Sequence, residues 1–437
     1  MSVGFVTLIL FLLLVSLLIT GLPLAFCLGA TAIILTIWRV GPEALFLVTT
    51  TAFHSWSLYT LIALPLFVLM ATFLSKSDIA DDLYELMLHW MGPLRGGLAM
   101  GTVIICAIFA AMSGVSAAGT VTMGLTALPS MLKRGYHQDI ALGAISAGGS
   151  LGILIPPSII MIVFASITGT SVARLFMAGF VPGLVITAIF VFYIGLRCVI
   201  QPKLGPVLPK EDRFPLRKKI SLLRGIFFPI ILVFLVLGSI YTGITTPTEA
   251  SAIGALGALV CVVIKGRFSW KVFQEATLGA FRVSVMCGWI VLGAKLFSHV
   301  YATTGAGEFI LSIFSGLETN RWLILIVMQI ILFLLGMFID PIGIMMITLP
   351  VFMPIVEQFG FHPIWFGILF TVNMELAYIT PPFGFNLFYL KGVVPETITM
   401  GDIYRSVIPF VVLEAIGLAI VIIFPRLSLW LPQLLLG

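Results

Sequence analysis

Charge is scarce in this sequence. Asp, Glu, Lys and Arg make up 9% of its 437 residues, against roughly 25% in a soluble chain. Apolar residues make up 60%, and mean hydropathy is +1.19. That balance excludes an ordinary soluble enzyme. The formal net charge of +5 does not point to nucleic acid, because the basic residues cluster in short loops of the kind that set membrane topology. Cysteine is also sparse. Cys27, Cys106, Cys198, Cys261 and Cys287 lie in or beside apolar segments without CxxC or metal-type spacing, and read as small hydrophobes in helix packing. Neither H-E-x-x-H nor G-x-x-x-x-G-K-[ST] occurs, so the metalloprotease and phosphate-loop motifs are absent. Without a phosphate-binding loop the chain cannot itself be driven by ATP, which leaves an ion gradient.

What the sequence has is long apolar runs. Val3–Thr20, Leu22–Trp38, Gly225–Tyr241, Thr248–Ile264 and the stretch after Tyr404 approach the roughly 20 residues needed to span a bilayer. The first lacks a basic start and a small-x-small cleavage site, and reads as a retained helix. The chain also contains itself twice, with an offset of about 225 residues. Leu128-Pro129 and Gly135-Tyr136-His137 recur as Met353-Pro354 and Gly360-Phe361-His362; Ile155-Pro156-Pro157 recurs as Thr380-Pro381-Pro382; Gly29-Ala30 recurs as Gly254-Ala255. Paired prolines are unusual in an apolar segment, since each removes a helix donor and crowds the preceding turn. Broken segments at matching places in two halves are the sequence mark of a transporter's central site.

Orientation follows from the charges. The stretch Arg197–Arg224 holds eight of the 23 Lys and Arg residues and four prolines; it reads as a cytoplasmic linker between the halves, with Lys265, Arg267 and Lys271 on the same side. Lys133-Arg134 precede the Gly-Tyr-His element, whereas Glu357-Gln358 precede Gly-Phe-His. One loop is basic and its counterpart is not, so the repeats are expected to be inverted. Two apolar stretches are interrupted midway, Gly97–Leu132 by Ser113-Gly114-Val115-Ser116 and Trp322–Val356 by Ile339-Asp340-Pro341-Ile342-Gly343. Both read as re-entrant hairpins, whose non-helical tips are tolerated only inside protein or beside a watery cavity. Pro42–Trp56, Asp78–Trp90, Phe268–Phe281 and Gly307–Leu317 read as flat interfacial helices, with Trp56, Trp90 and Trp270 at headgroup level.

The breaks carry the candidate chemistry. A broken helix frees carbonyl oxygens that suit a hard cation such as Na⁺, and half-helix N-termini that suit an anion. Each hairpin tip pairs with a proline break. The expected first Na⁺ site comprises Ser113, Gly114, Ser116, Gly148 and Gly152; the second comprises Asp340, Gly343, Asn373 and Thr380. The expected substrate-binding residues are Ser150, Pro156, Pro157, Ser158, Pro381, Pro382, Gly384 and Asn386. A carboxylate at membrane depth is a functional candidate by default, although Asp340 also suits a helix cap. Glu375 lies in the second broken segment. Lys295, His299, Glu249 and Glu414 are expected near span ends, and His137 and His362 are expected to be structural.

The run from Ser113 to Ala118, the Gly-Tyr-His element, Leu151-Gly152-Ile153-Leu154-Ile155-Pro156-Pro157-Ser158, Pro182-Gly183 and Thr380-Pro381-Pro382-Phe383-Gly384-Phe385-Asn386 together resemble the large membrane subunit of TRAP (tripartite ATP-independent periplasmic) transporters, over essentially the whole chain. The family usually shows Ser where this chain has Val115, and often Asp near Gly119. The resemblance implies an all-α polytopic membrane protein of the elevator-type ion-transporter superfamily, an inverted repeat with two re-entrant hairpins and two broken helices. It implies Na⁺-coupled uptake of a small organic acid (sialic acid, a C4-dicarboxylate or a similar carboxylate) across a bacterial inner membrane. The partners would be a periplasmic substrate-binding protein and a separate small four-helix membrane subunit. The expected division is frame at 1–96, moving block at 97–167, frame span and linker at 168–224, frame at 225–320, moving block at 321–391 and frame span at 392–437. The rival readings are a stand-alone anion carrier of the same fold and a proton-pumping subunit.

Overall fold

A computed structural model describes residues 2–57, 59–209, 211, 213–315 and 320–436. Lys210 of the basic linker and Leu317 of the last flat segment lie outside the described residues, as do the side chains of Trp56 and Arg224. The described residues are helical with no strand. The first half runs α1 (Val3–Ile19), α2 (Leu24–Arg39), α3 (Leu45–Trp56), α4 (Ala63–Ser75), α5 (Ile79–Met91), α6 (Gly97–Ser113), α7 (Ser116–Lys133), α8 (Gln138–Ser150), α9 (Ile159–Thr168), α10 (Val172–Ile200) and the linker helix α11 (Leu216–Leu222). In the second half α12 (Arg224–Val233) passes through a π-helical turn into α13 (Ser239–Tyr241). Then come α14 (Pro247–Ile264), α15 (Trp270–Thr303), α16 (Ala306–Ser315), α17 (Arg321–Gly336), α18 (Pro341–Gln358), α19 (Pro363–Tyr378), α20 (Phe385–Lys391), α21 (Met400–Ile423) and α22 (Arg426–Leu436). Five helices, α10, α14, α15, α18 and α21, are long and apolar enough to cross a membrane, or up to seven if two bent pairs each count as one span. The chain is a multi-pass membrane protein.

The repeated Gly-aromatic-His element is helix punctuation. Gly135 and Gly360 have φ of +78° and +69°, the left-handed region that glycine enters freely. The Tyr136 N–H donates to the Met131 carbonyl and that of Gly135 to Leu132; Phe361 and Gly360 repeat this with Val356 and Glu357. These are the paired bonds of a Schellman cap. The aromatic side chain is then buried, and the histidine Nδ1 caps the next helix, accepting from Asp139 N at 3.3 Å or Ile364 N at 3.2 Å.

Both interrupted stretches turn back on themselves. A methyl on Gly148 would meet Cys106 of α6, and one on Gly149 would meet Thr120 of α7. Positions 106 and 120 would lie about 21 Å apart on a straight helix, yet they flank adjacent residues of α8. In the second half, Gly336 faces Ile344 across the break and packs on Ala377 of α19.

Contacts between the halves come in reciprocal pairs. Counting by the repeat, α2 corresponds to α14 and α4 to α15; α2 packs on α15, and α14 packs on α4. Likewise α1 touches α16 as α12 touches α5, and α9 touches α18 as α20 touches α7. The two Gly-aromatic-His loops lie at opposite ends of α10. Its 29 residues extend about 43 Å. Near its C-terminus, Cys198 lies against Gly96 and Gly205, and His137 N donates to Leu204 O. Near its N-terminus, Leu175 meets Gly367 and Arg174 lines a cavity with His362.

One expectation needs revision. Phe268–Phe281 is not a separate flat segment: α15 runs unbroken for 34 residues from Trp270. The spans at 168–224 and 392–437 pack on the hairpin and broken helices. Helix α10 lies against α6, α8 and α19, and α21 against α8 and α19, burying Phe190 and Phe410 edge to face at 5.5 Å. Helices α2, α4, α14 and α15 pack mainly on one another.

Candidate functional site

One polar cluster joins the halves. Tip 1 lies between α6 and α7, where Gly114 takes φ +66° and sits so close to Pro157 that a methyl would fall 2.1 Å from its carbonyl oxygen. The backbone at Ser116 also lies close to Gly152, 2.9 Å from where a methyl would fall. Tip 1 is therefore seated directly on the first proline break. Ser116 Oγ and, one turn on, Thr120 Oγ1 donate to Asn386 Oδ1 at 2.8 and 2.6 Å. Asn386 Nδ2 donates to the Ser146 carbonyl at 2.6 Å. Ser116, Thr120, Ser146 and Asn386 are all buried, and the hydroxyls of Ser113 and Ser146 have no hydrogen-bond partner. Hydroxyl and amide oxygens held this way are hard donors of the type Na⁺ takes; a hydroxyl that donates its hydrogen keeps lone pairs for a cation.

The expected residues fall into three groups. Ser113, Gly114, Ser116 and Gly152 do gather at tip 1, and Asn386, expected on the substrate side, joins them. Gly148 is further down the hairpin, packed on Cys106 and Val103, where its role is close approach. Ser150, Pro156, Pro157 and Ser158 are buried. Ser158 caps α9, accepting from Met161 N and donating to Ile153 O, so these four pack the interior of the break. The second break is more open, with Pro381 half-buried and Pro382 and Phe383 exposed. Both Pro-Pro bonds are cis.

At tip 2, Asp340 Oδ2 accepts from Gly343 N at 3.0 Å and caps α18; its side chain is half-buried. A methyl on Gly343 would strike Leu24 of α2 at 2.7 Å, so tip 2 abuts α2. Asn373 is engaged elsewhere, donating to the carbonyl and the side-chain oxygen of Gln329, both at 2.8 Å. Thr380 donates to Leu376 O. No hydrogen bond among the described residues links Asp340 to Asn373 or Thr380. Glu249 caps α14, at a helix end as expected. Glu414 is not near a span end: it is fully buried midway along α21 and faces Glu375.

Thr120, Ser146, Gln329 and Glu414 were not among the expected site residues. Thr120 carried a readable signal, since it sits four residues after Ser116 and so on the same helical face. The fit of Asn386 to Ser116 and Thr120 had no signal within either half.

The family model for the tripartite ATP-independent periplasmic transporter, DctM component, matches residues 11–427. The chain belongs to this family. It is similar to the C4-dicarboxylate TRAP transporter large permease protein DctM of Pseudomonas aeruginosa, 36% identical over 91% of this chain and 92% of that one. It is 33% identical to the Vibrio cholerae protein of the same description, over 98% of each. The sialic acid TRAP transporter large permease protein SiaM of Vibrio cholerae is 27% identical over 87% of each. Among solved structures, the Alcanivorax borkumensis YdaH transporter aligns with a TM-score of 0.65 over 98% of each chain at 15% identity. Neisseria gonorrhoeae MtrF aligns with a TM-score of 0.61 at 14% identity, over 90% of this chain and 85% of that one. These two likenesses establish the fold alone. As a DctM component, the chain is a transporter permease subunit and not an enzyme.

Proposed function

We propose that this permease takes up a small organic acid, a C4-dicarboxylate or similar carboxylate, across a bacterial inner membrane in symport with Na⁺. The observation that carries the reading is the Ser116–Thr120–Asn386–Ser146 cluster, a buried set of hard oxygen donors at a hairpin tip seated on a broken helix. Sodium is held there by tip 1 oxygens and at tip 2 by Asp340 with nearby carbonyls; the acid binds towards the open second break, at Pro381, Pro382 and Gly384. The relatives named for C4-dicarboxylate and sialic acid support the substrate class. A periplasmic binding protein delivers the acid, and a small membrane subunit pairs with this chain.

The repeats are inverted, a reading supported by the reciprocal contacts and by the two equivalent loops at opposite ends of α10. Transport is an elevator stroke. The moving block comprises α6–α10 and α17–α21, and the frame comprises α1–α5 and α12–α16. Na⁺ drives the stroke only by binding one state more tightly than the other.

The test is uptake in proteoliposomes holding the permease complex. We expect labelled acid to enter only with an inward Na⁺ gradient and the loaded binding protein. Uptake without the binding protein would favour a stand-alone carrier, and uptake driven by a proton gradient alone would remove Na⁺ coupling.

A further inference from the structure

Two carboxyl groups face each other inside the helix bundle. Glu375 on α19 and Glu414 on α21 are each 0% exposed; the two helices pack on each other, and the two carboxyl groups are electrostatic neighbours. The hydroxyl of Ser150 on α8 points to the same place, 3.3 Å from Glu375 Oε1. Nothing else satisfies the pair: Glu375 Oε2 and both oxygens of Glu414 have no hydrogen-bond partner. Among the described residues no Lys, Arg or His forms an ion pair with either. Among the described residues, the side chain that reaches the pair from another element is the neutral Ser150 of α8. No third carboxylate or histidine builds a metal cluster with them.

Two bare carboxylates cannot occupy this place. Burying one unpaired charge is already costly, and a second of the same sign at contact adds Coulomb repulsion in a medium that screens it poorly. As carboxylates, moreover, neither can donate a hydrogen to the other. One hydrogen between them resolves all three problems.

We propose that Glu375 and Glu414 form a proton-binding site that holds one proton between the two carboxyl groups at neutral pH. The proton ties α19 to α21 and orients Glu375 towards Ser150. Ser150 lies one turn along α8 from Ser146, whose carbonyl anchors Asn386. Losing the proton drives α19 and α21 apart at a point one helical turn from the polar cluster.

Infrared difference spectroscopy of the reconstituted complex tests this without relying on transport or Na⁺. Wild type minus the isosteric Glu375→Gln/Glu414→Gln variant at neutral pH is expected to show one protonated-carboxyl C=O band. Glu414→Gln alone is expected to shift or remove that band, because the partner of Glu375 changes from carboxylate to amide. A difference spectrum with carboxylate bands only would overturn the proposal. So would a protonated band that Glu414→Gln leaves unmoved, since the proton would then sit on Glu375 alone and not between the two carboxyl groups.

Discussion

Thr120 and Asn386, 266 positions apart, are joined by a hydrogen bond of 2.6 Å in a fully buried site. Through it the first hairpin is fastened to the helix that follows the second proline break, and neither half of the chain holds the cluster alone.

Removing the amide should therefore damage the ion site more than the fold. Asn386→Ala strands two hydroxyls and the Ser146 carbonyl, and a buried unsatisfied group costs about 1–3 kcal/mol. We expect the Na⁺ concentration for half-maximal uptake to rise about tenfold or more, taking 1.4 kcal/mol per decade. Thr120→Val should show a smaller rise in the same direction. An unchanged Na⁺ dependence in folded Asn386→Ala would remove the cluster from ion binding.

Neighbouring glycines should respond very differently. A methyl on Gly149 would lie 1.9 Å from Thr120 Oγ1 and 3.1 Å from Asn386 Nδ2, whereas one on Gly119 would find nothing nearer than 3.8 Å. Gly149→Ala should displace Thr120, weaken Na⁺ dependence and lower thermal stability by roughly 1–3 kcal/mol, as overpacking does. Gly119→Ala should be neutral or slightly stabilising in its helix. Equal tolerance at both positions would contradict the described packing.

Asp340 caps α18, and its charge can be separated from its cap. Asn caps as well as Asp does, while Ala loses about 1 kcal/mol. Asp340→Asn should keep wild-type thermal stability yet weaken Na⁺-dependent uptake; Asp340→Ala should lose both. If Asp340→Asn transports with normal Na⁺ dependence, Asp340 is a cap only.

His362 caps α19 through Nδ1, which must be unprotonated to accept. Burial, and next the Arg174 charge, hold its pKa below the ordinary histidine value. The folded state thus prefers the neutral ring. Its contribution is present above the unfolded histidine pKa of about 6.5 and is lost as pH falls through the lower folded value. His362→Asn should keep the cap and flatten that acid-side loss of thermal stability; an unaltered acid profile would show that His362 does not cause it. The effect is small, because the ring is partly exposed.

Much of this was legible in the sequence. The doubled Gly-aromatic-His and Pro-Pro elements marked the repeats, because caps and helix breaks depend on local residue type. The Ser113–Ser116 tip was readable as an interruption of an apolar run. The roles of Asn386 and Glu414 were not, since each is decided by a partner in another helix. Sequence hydropathy placed Glu414 at a span end because carboxylates usually lie there; the facing carboxyl of Glu375 lets it sit at mid-helix. The packing of α10 on α21 through Phe190 and Phe410 was not legible either, since it too is decided by a partner in another helix.

The most direct measurement is a pair of cross-links in the reconstituted complex. Lys295 of frame helix α15 reaches the Ile167 carbonyl at the end of α9 at 3.3 Å. Asp139 and Arg405 pair at 3.6 Å within the proposed moving block. A short bifunctional thiol reagent closing Lys295→Cys to Ile167→Cys should abolish uptake, and reduction of a cleavable version should restore it. The same reagent closing Asp139→Cys to Arg405→Cys should leave uptake near its uncross-linked rate. Normal uptake with the first cross-link fully formed would contradict the sliding block and require a gate around a stationary site.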